Sequence, residues 1–106
     1  MKILLDEGVP RIIQKRLDQF SISSVEEMGW RAAENGALFD LMAATFQIFI
    51  TTDKNIPHQQ NLKKRGISVI LLPTNQIPLV VELLPKIEEA ISTIGIGEFK
   101  EIEIAS

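Results

Sequence analysis

The chain has no cysteine, no tyrosine, one tryptophan and one histidine among its 106 residues. Without cysteine there are no disulfides and no thiolate metal sites, which suits a reducing cytoplasm. The lone histidine, His58, has no second histidine beside it and makes no zinc motif, so a surface role is its default. Charge of one sign is not in large excess. Lys+Arg 11 against Asp+Glu 14 leaves a net −3, which argues against indiscriminate polyanion binding but leaves room for a local basic patch. No apolar run approaches the roughly 18 residues that a membrane span requires. Asp6, Glu7 and Arg11 interrupt the N-terminal stretch that a signal peptide would need. There is no internal repeat, low-complexity tract or Pro/Gly-rich linker. These absences predict a soluble cytoplasmic protein, and 45% hydrophobic content over this length predicts one domain, residues 1–106, with one core.

What is present is a repeated design in which an apolar run stops at an oxygen-bearing side chain. Phe49-Ile50-Thr51-Thr52 ends on Asp53, Lys2-Ile3-Leu4-Leu5 ends on Asp6-Glu7, and Ile67 to Leu72 ends at Pro73-Thr74-Asn75. Each run is strand-like in length and composition. If the three strands are parallel neighbours, Asp6, Asp53 and Asn75 share one edge of the sheet, where open α/β folds bind ligands.

The intervening segments read as helices. Pro10 fits a first turn, and Ile12, Ile13, Leu17 and Phe20 recur at helical spacing behind it. Ser21 to Val25 is a weak second strand, and Glu26 to Arg31 a loop. Leu38, Leu41, Met42, Thr45 and Phe46 predict a helix over 37–46 with Leu38, Leu41, Met42 and Phe46 facing the core. Asn55 looks like an N-cap with Pro57 just inside, and Lys63-Lys64-Arg65-Gly66 is a helix stop. Ile77, Val80, Val81, Leu84, Ile87, Ile91 and Ile94 trace one face of a long helix, with Pro78 in its first turn and Pro85 at an inconvenient interior position. Phe99, Ile102 and Ile104 predict a closing edge strand. The alternation of strands and helices predicts a three-layer α/β/α sandwich with a mainly parallel central sheet.

Each acid has a bland reading beside its chemical one. Asp6 or Asp53 alone is as well explained as a helix cap. Two acids converging on one edge repel one another unless a cation, a proton or a basic group lies between them. Hard oxygen ligands favour Mg2+ or Mn2+, which activate water and stabilise in-line phosphoryl displacement. Glu7 is a neighbouring ligand or a solvated residue at a helix start, and Glu34 and Asp40 are weaker candidates still. Lys63-Lys64-Arg65 complements a helix dipole or contacts phosphate. Trp30 is a core anchor or a surface on which a base stacks.

The segment Met1 to Pro10, Glu27-Met28-Gly29-Trp30, Asn35-Gly36-Ala37-Leu38, and above all Phe49 to Asn55 with Gln59-Gln60-Asn61-Leu62 resemble the small PIN-like proteins of the DUF5615 type. The resemblance covers most of the chain; its most specific part is Thr-Thr-Asp-Lys-Asn together with the N-terminal Asp-Glu. It implies a PIN-like fold, an acidic centre holding Mg2+ or Mn2+, and cleavage of RNA, often as the toxin of a toxin–antitoxin pair. On that basis Asp6, Glu7 and Asp53 are the expected catalytic residues, Asp6 and Asp53 the expected metal ligands, and Lys54 an expected substrate contact; Asn75, from its place after the third run, is the other expected substrate contact. An antitoxin protein and a second copy of the chain are the expected partners. One position departs from the pattern: Ala37 stands where such sequences commonly carry an acid, so one ligand is missing and weak metal affinity is expected. Two other classes compete, a phosphoacceptor receiver-like domain and a catalytically weakened binding module.

Overall fold

The computed structural model describes residues 1–56 and 61–104, the side chain of Asn35 excepted. Strands β1 (Lys2–Leu5), β2 (Ser21–Ser24), β3 (Ile48–Thr51), β4 (Ser68–Leu71) and β5 (Phe99–Glu101) alternate with helices α1 (Ile12–Arg16), α2 (Asn35–Met42), α3 (Leu62–Arg65) and α4 (Ile77–Thr93). The sheet order is β2-β1-β3-β4-β5, and every pair is parallel. The predicted α/β sandwich is therefore present, with β1, β3 and β4 as adjacent parallel strands.

The central strands are buried on both faces, which is why they read as unbroken apolar runs and not as alternating ones. Ile3, Leu5, Ile48, Ile50 and Ile70 point to one face and pack on Ile13 and Leu17 of the α1 region and on Val80, Leu83, Leu84, Ile87 and Ile91 of α4. Leu4, Phe49 and Val69 point to the other face and pack on Leu38, Phe39 and Met42 of α2 and Leu62 of α3. Phe39 and Phe49 meet edge to face at 5.3 Å between ring centroids.

Three connections share one hand, because the chain changes face whenever it changes direction across the sheet. The fourth differs: β4–α4–β5 continues in the direction of β3–α3–β4 with its helix on the opposite face, and so has the opposite hand. Crossovers of that kind are strongly disfavoured in parallel sheets. Here the exception falls on a three-residue edge strand whose side chains are all exposed. The next residue, Ile102, is buried and donates its N–H to the Leu71 carbonyl at 2.8 Å.

Several boundaries and faces differ from the sequence expectation. Helix α1 ends at Arg16, and Phe20 instead closes a turn on the Leu17 carbonyl. Helix α2 begins at Asn35 and ends at Met42, with the chain turning through 43–45 before β3. Within it Leu41 is 45% exposed while Phe39 is fully buried, so the apolar face is centred on Leu38, Phe39 and Met42. Ile77 is 56% exposed at the start of α4. Pro85 lies on the exposed face of α4, and the helix runs through it. Gly66, at φ 68°, ends α3 as its basic last turn foretold. The predicted Pro57 first turn, His58, Gln59 and Gln60 lie outside the described residues.

Candidate functional site

The chain leaves β1 towards β2 on one side of the sheet and later crosses to β3 on the other side. The β1/β3 boundary is thus the point where the strand order reverses, and a crevice opens beyond the carboxyl ends of strands at such a point. Register dictates what stands there. Leu5 pairs with Ile50, so one step further Asp6 lies beside Thr51, both on the face that α2 covers. The Thr51 hydroxyl donates to Asp6 Oδ2 at 2.7 Å, and accepts the Asp53 backbone N–H at 3.0 Å. Asp6 Oδ1 accepts the Glu7 N–H at 2.8 Å, and Asp53 Oδ1 accepts the Asn55 N–H at 3.0 Å. Thr51 is fully buried, so the bridge between the two acids is fixed from below.

A cleft of about 330 Å³ is lined by Asp6, Glu7, Thr52 and Asp53 from the ends of β1 and β3, by Val25, Trp30, Arg31 and Ala33 from the segment after β2, and by Leu38 of α2. Burial pushes the Asp6 carboxyl above its ordinary pKa; the Thr51 hydroxyl and the Glu7 N–H pull it back, and the negative charges of Asp53 and Glu7 push it up further. Glu7 forms an ion pair with Arg31 at 3.2 Å across the mouth.

Val25, Trp30, Arg31 and Ala33 of the lining belong to the segment after β2. Ser24 and Glu27 bond reciprocally, N–H to carboxylate at 3.0 Å and N–H to hydroxyl at 3.1 Å, and the Gln14 amide donates to the same carboxylate at 3.0 Å. The Gln14 bond and then the Ser24 N–H hold the Glu27 carboxyl below its ordinary pKa. Gly29, at φ 75°, turns the chain so that the Trp30 N–H reaches the Val25 carbonyl at 3.0 Å.

Of the residues singled out from sequence, Asp6, Glu7 and Asp53 come together in this cleft. Lys54 and Asn75 are exposed and do not line it. Asp40 is spent on an ion pair with Arg65, which ties the end of α3 to α2. Glu34 and Ala37 are exposed and outside the lining, although Ala37 adjoins Leu38, which belongs to it. Thr51 and Arg31 were not foreseen. The Thr-Thr-Asp triplet carried a signal for Thr51, since alternation along β3 opposes it to Ile50, but using it required the β1/β3 register. Arg31 reaches Glu7 across 24 positions of sequence, which no local pattern reveals.

Fold and site together define an open, parallel α/β protein with an acidic cleft at its switch point. Compared with family models, curated proteins and solved structures, the chain gives no match.

Proposed function

We propose that the cleft holds a divalent cation, Mg2+ or Mn2+, between Asp6 and Asp53, and that the protein is a metal-dependent ribonuclease of the PIN-like, DUF5615 type with low activity. The observation that carries this reading is the convergence of two carboxylates from adjacent parallel strands on one cleft, where burial and mutual repulsion already penalise the charge on Asp6. The donor set fits a hard cation: it offers the carboxylate oxygens of Asp6, Glu7 and Asp53 and the hydroxyl of Thr52, and among the described residues the cleft's one cationic lining residue, Arg31, bonds to Glu7 and not to either aspartate. No group of three or more His, Cys, Asp or Glu side chains that could hold a metal ion occurs among the described residues.

Bound there, such a cation would lower the pKa of water and offset charge developing on a phosphodiester. The chain's own residues do the rest. Thr51 and the Glu7 N–H hold the Asp6 carboxylate in one orientation, and the Asn55 N–H does the same for Asp53. Because Asp6 holds its proton more tightly than usual, protons compete with the cation, and cation affinity falls as pH is lowered.

The test is cleavage of a mixed RNA pool in Mn2+ by the purified protein, by Asp6→Asn and by Asp53→Asn. Slow cutting that both substitutions abolish supports the reading. Mn2+ binding without cutting would leave a weakened binding module. The toxin role, with an antitoxin partner in the cytoplasm, extends the same reading; co-purification with the product of the adjacent open reading frame tests it.

One observation favours a receiver-like phosphoacceptor: the sheet order with Asp6-Glu7 after β1 and Asp53 after β3. That chemistry also needs a lysine at the phosphoryl group, and none lines the cleft. Acetyl phosphate should leave Asp53 unlabelled.

A further inference from the structure

Trp30 and Arg31 line the same cleft as the acids and have no part in holding a cation. The Trp30 ring is only partly buried; one edge stands at 86° to the Phe46 ring with 6.0 Å between centroids, and the ring packs against the α2-side core while lining the cleft. Its backbone is pinned to Val25, so the indole sits on a fixed support. Arg31 reaches over the mouth to Glu7, and the two side chains are 64% and 49% exposed. An ion pair so exposed is worth little. Only one guanidinium nitrogen engages Glu7, whereas a phosphate seated in the cleft can take two parallel charge-assisted hydrogen bonds from Arg31 and carries more charge, so exchanging Glu7 for phosphate is favourable.

We propose that Trp30 and Arg31 form a nucleotide subsite, in which a base stacks on Trp30 and the adjoining phosphate displaces Glu7 from Arg31. The Glu7–Arg31 ion pair is then a latch that the phosphate opens. The occupant is single-stranded, because only an unstacked base has a face free for an aromatic ring. The subsite deepens the ribonuclease reading by assigning its substrate contacts to residues other than Lys54 and Asn75, but binding at it does not require the cation.

The chain has one tryptophan and no tyrosine, so its intrinsic emission reports on Trp30 alone. In EDTA, where metal-dependent cutting is suppressed, titration with a single-stranded oligouridylate should change that emission saturably, whereas ribose 5-phosphate, which lacks a base, should not. Polarisation of the labelled oligonucleotide then reads the variants. Trp30→Ala should bind about tenfold more weakly, and Trp30→Phe, which keeps the packing on Phe46, should retain most of the affinity. Arg31→Ala should weaken binding, with partial rescue by Arg31→Lys. Glu7→Gln should tighten it, and should do so far less in an Arg31→Ala background, which separates release of the guanidinium from the mere loss of a negative charge. Unchanged emission at saturating oligonucleotide, equal competition by ribose 5-phosphate, or unaltered affinity in Glu7→Gln would overturn the subsite. Calorimetric titration of the same protein with Mn2+ separates the two readings. Oligonucleotide binding without Mn2+ binding leaves the subsite standing and removes the cation site; Mn2+ binding without oligonucleotide binding does the reverse.

Discussion

Thr51 is a fully buried hydroxyl that uses both of its hydrogen-bonding roles, donating to Asp6 and accepting from the Asp53 N–H. Thr51→Val keeps the shape and removes both bonds, leaving Asp6 Oδ2 and the Asp53 N–H without the partners they have here. A loss of about 1–3 kcal/mol in urea-induced unfolding is expected; a neutral substitution would mean that water replaces the hydroxyl. Asp6 gives the complementary case. Its carboxyl pKa is raised in the folded protein, so its contribution to stability is fully present below the ordinary value of 3.8 and is lost as pH rises through the folded value. Asp6→Asn removes that loss. In EDTA the stability of the Asn variant relative to the parent should therefore climb from about pH 3.8 towards neutrality. Melts of both proteins across that range check it, and a relative stability that falls with rising pH would mean the native carboxylate is better stabilised than its burial implies.

At the scale of elements, the strands were legible because each is a short apolar run closed by polar or turn residues, and burial on both faces leaves that signal uninterrupted. Of the face predicted for the second helix, Leu38, Met42 and Phe46 are buried as expected, but Leu41 was wrongly included and Phe39 missed, because Leu38, Phe39, Leu41 and Met42 are all apolar; periodicity cannot decide which of them the packing will bury, and Phe39 wins the core through its contact with Phe49. The acids of the site were legible as strand-end residues. Their partners were not, since Thr51 depends on register and Arg31 on a loop closed by Ser24, Glu27 and Gly29. The reversed hand of the last crossover was equally hidden, and the connection that achieves it leaves little slack. Gly97 in that connection has φ 75°, and an added Cβ would come within 2.7 Å of the Lys63 backbone. Gly97→Ala should cost more than about 1 kcal/mol, because strain and clash add to each other. Gly36, near the start of α2, has open space around the same position, so Gly36→Ala should stabilise by up to about 1 kcal/mol. Denaturant midpoints of the two variants should move in opposite directions; a shared sign would show that the α3–β5 contact yields.

For the molecule as a whole, the cation reading makes a claim about global stability. A ligand that binds only the folded state stabilises by mass action, about 2.7 kcal/mol at about a hundredfold excess over Kd. In a domain of this size each kcal/mol corresponds to roughly 4–8 °C in Tm, so saturating Mn2+ should raise Tm by about 10 °C or more. The response should vanish in Asp53→Asn, whose metal-free stability should equal or exceed that of the parent because repulsion with Asp6 is relieved. A large metal-free loss in that variant would instead assign Asp53 the role of ordering the 53–55 turn through the Asn55 N–H. Ala37→Glu completes the comparison. Ala37 is exposed in the first turn of α2, next to the cleft-lining Leu38, and Cβ bonds tilt towards a helix N-terminus, here the end nearest the acids. A glutamate from that position adds a third carboxylate, so the Mn2+ concentration giving half the full Tm shift should fall below that of the parent. If the two proteins respond alike, the α2 start points away from the cation, and the low affinity of the cleft has to be explained by Asp6 and Asp53 alone.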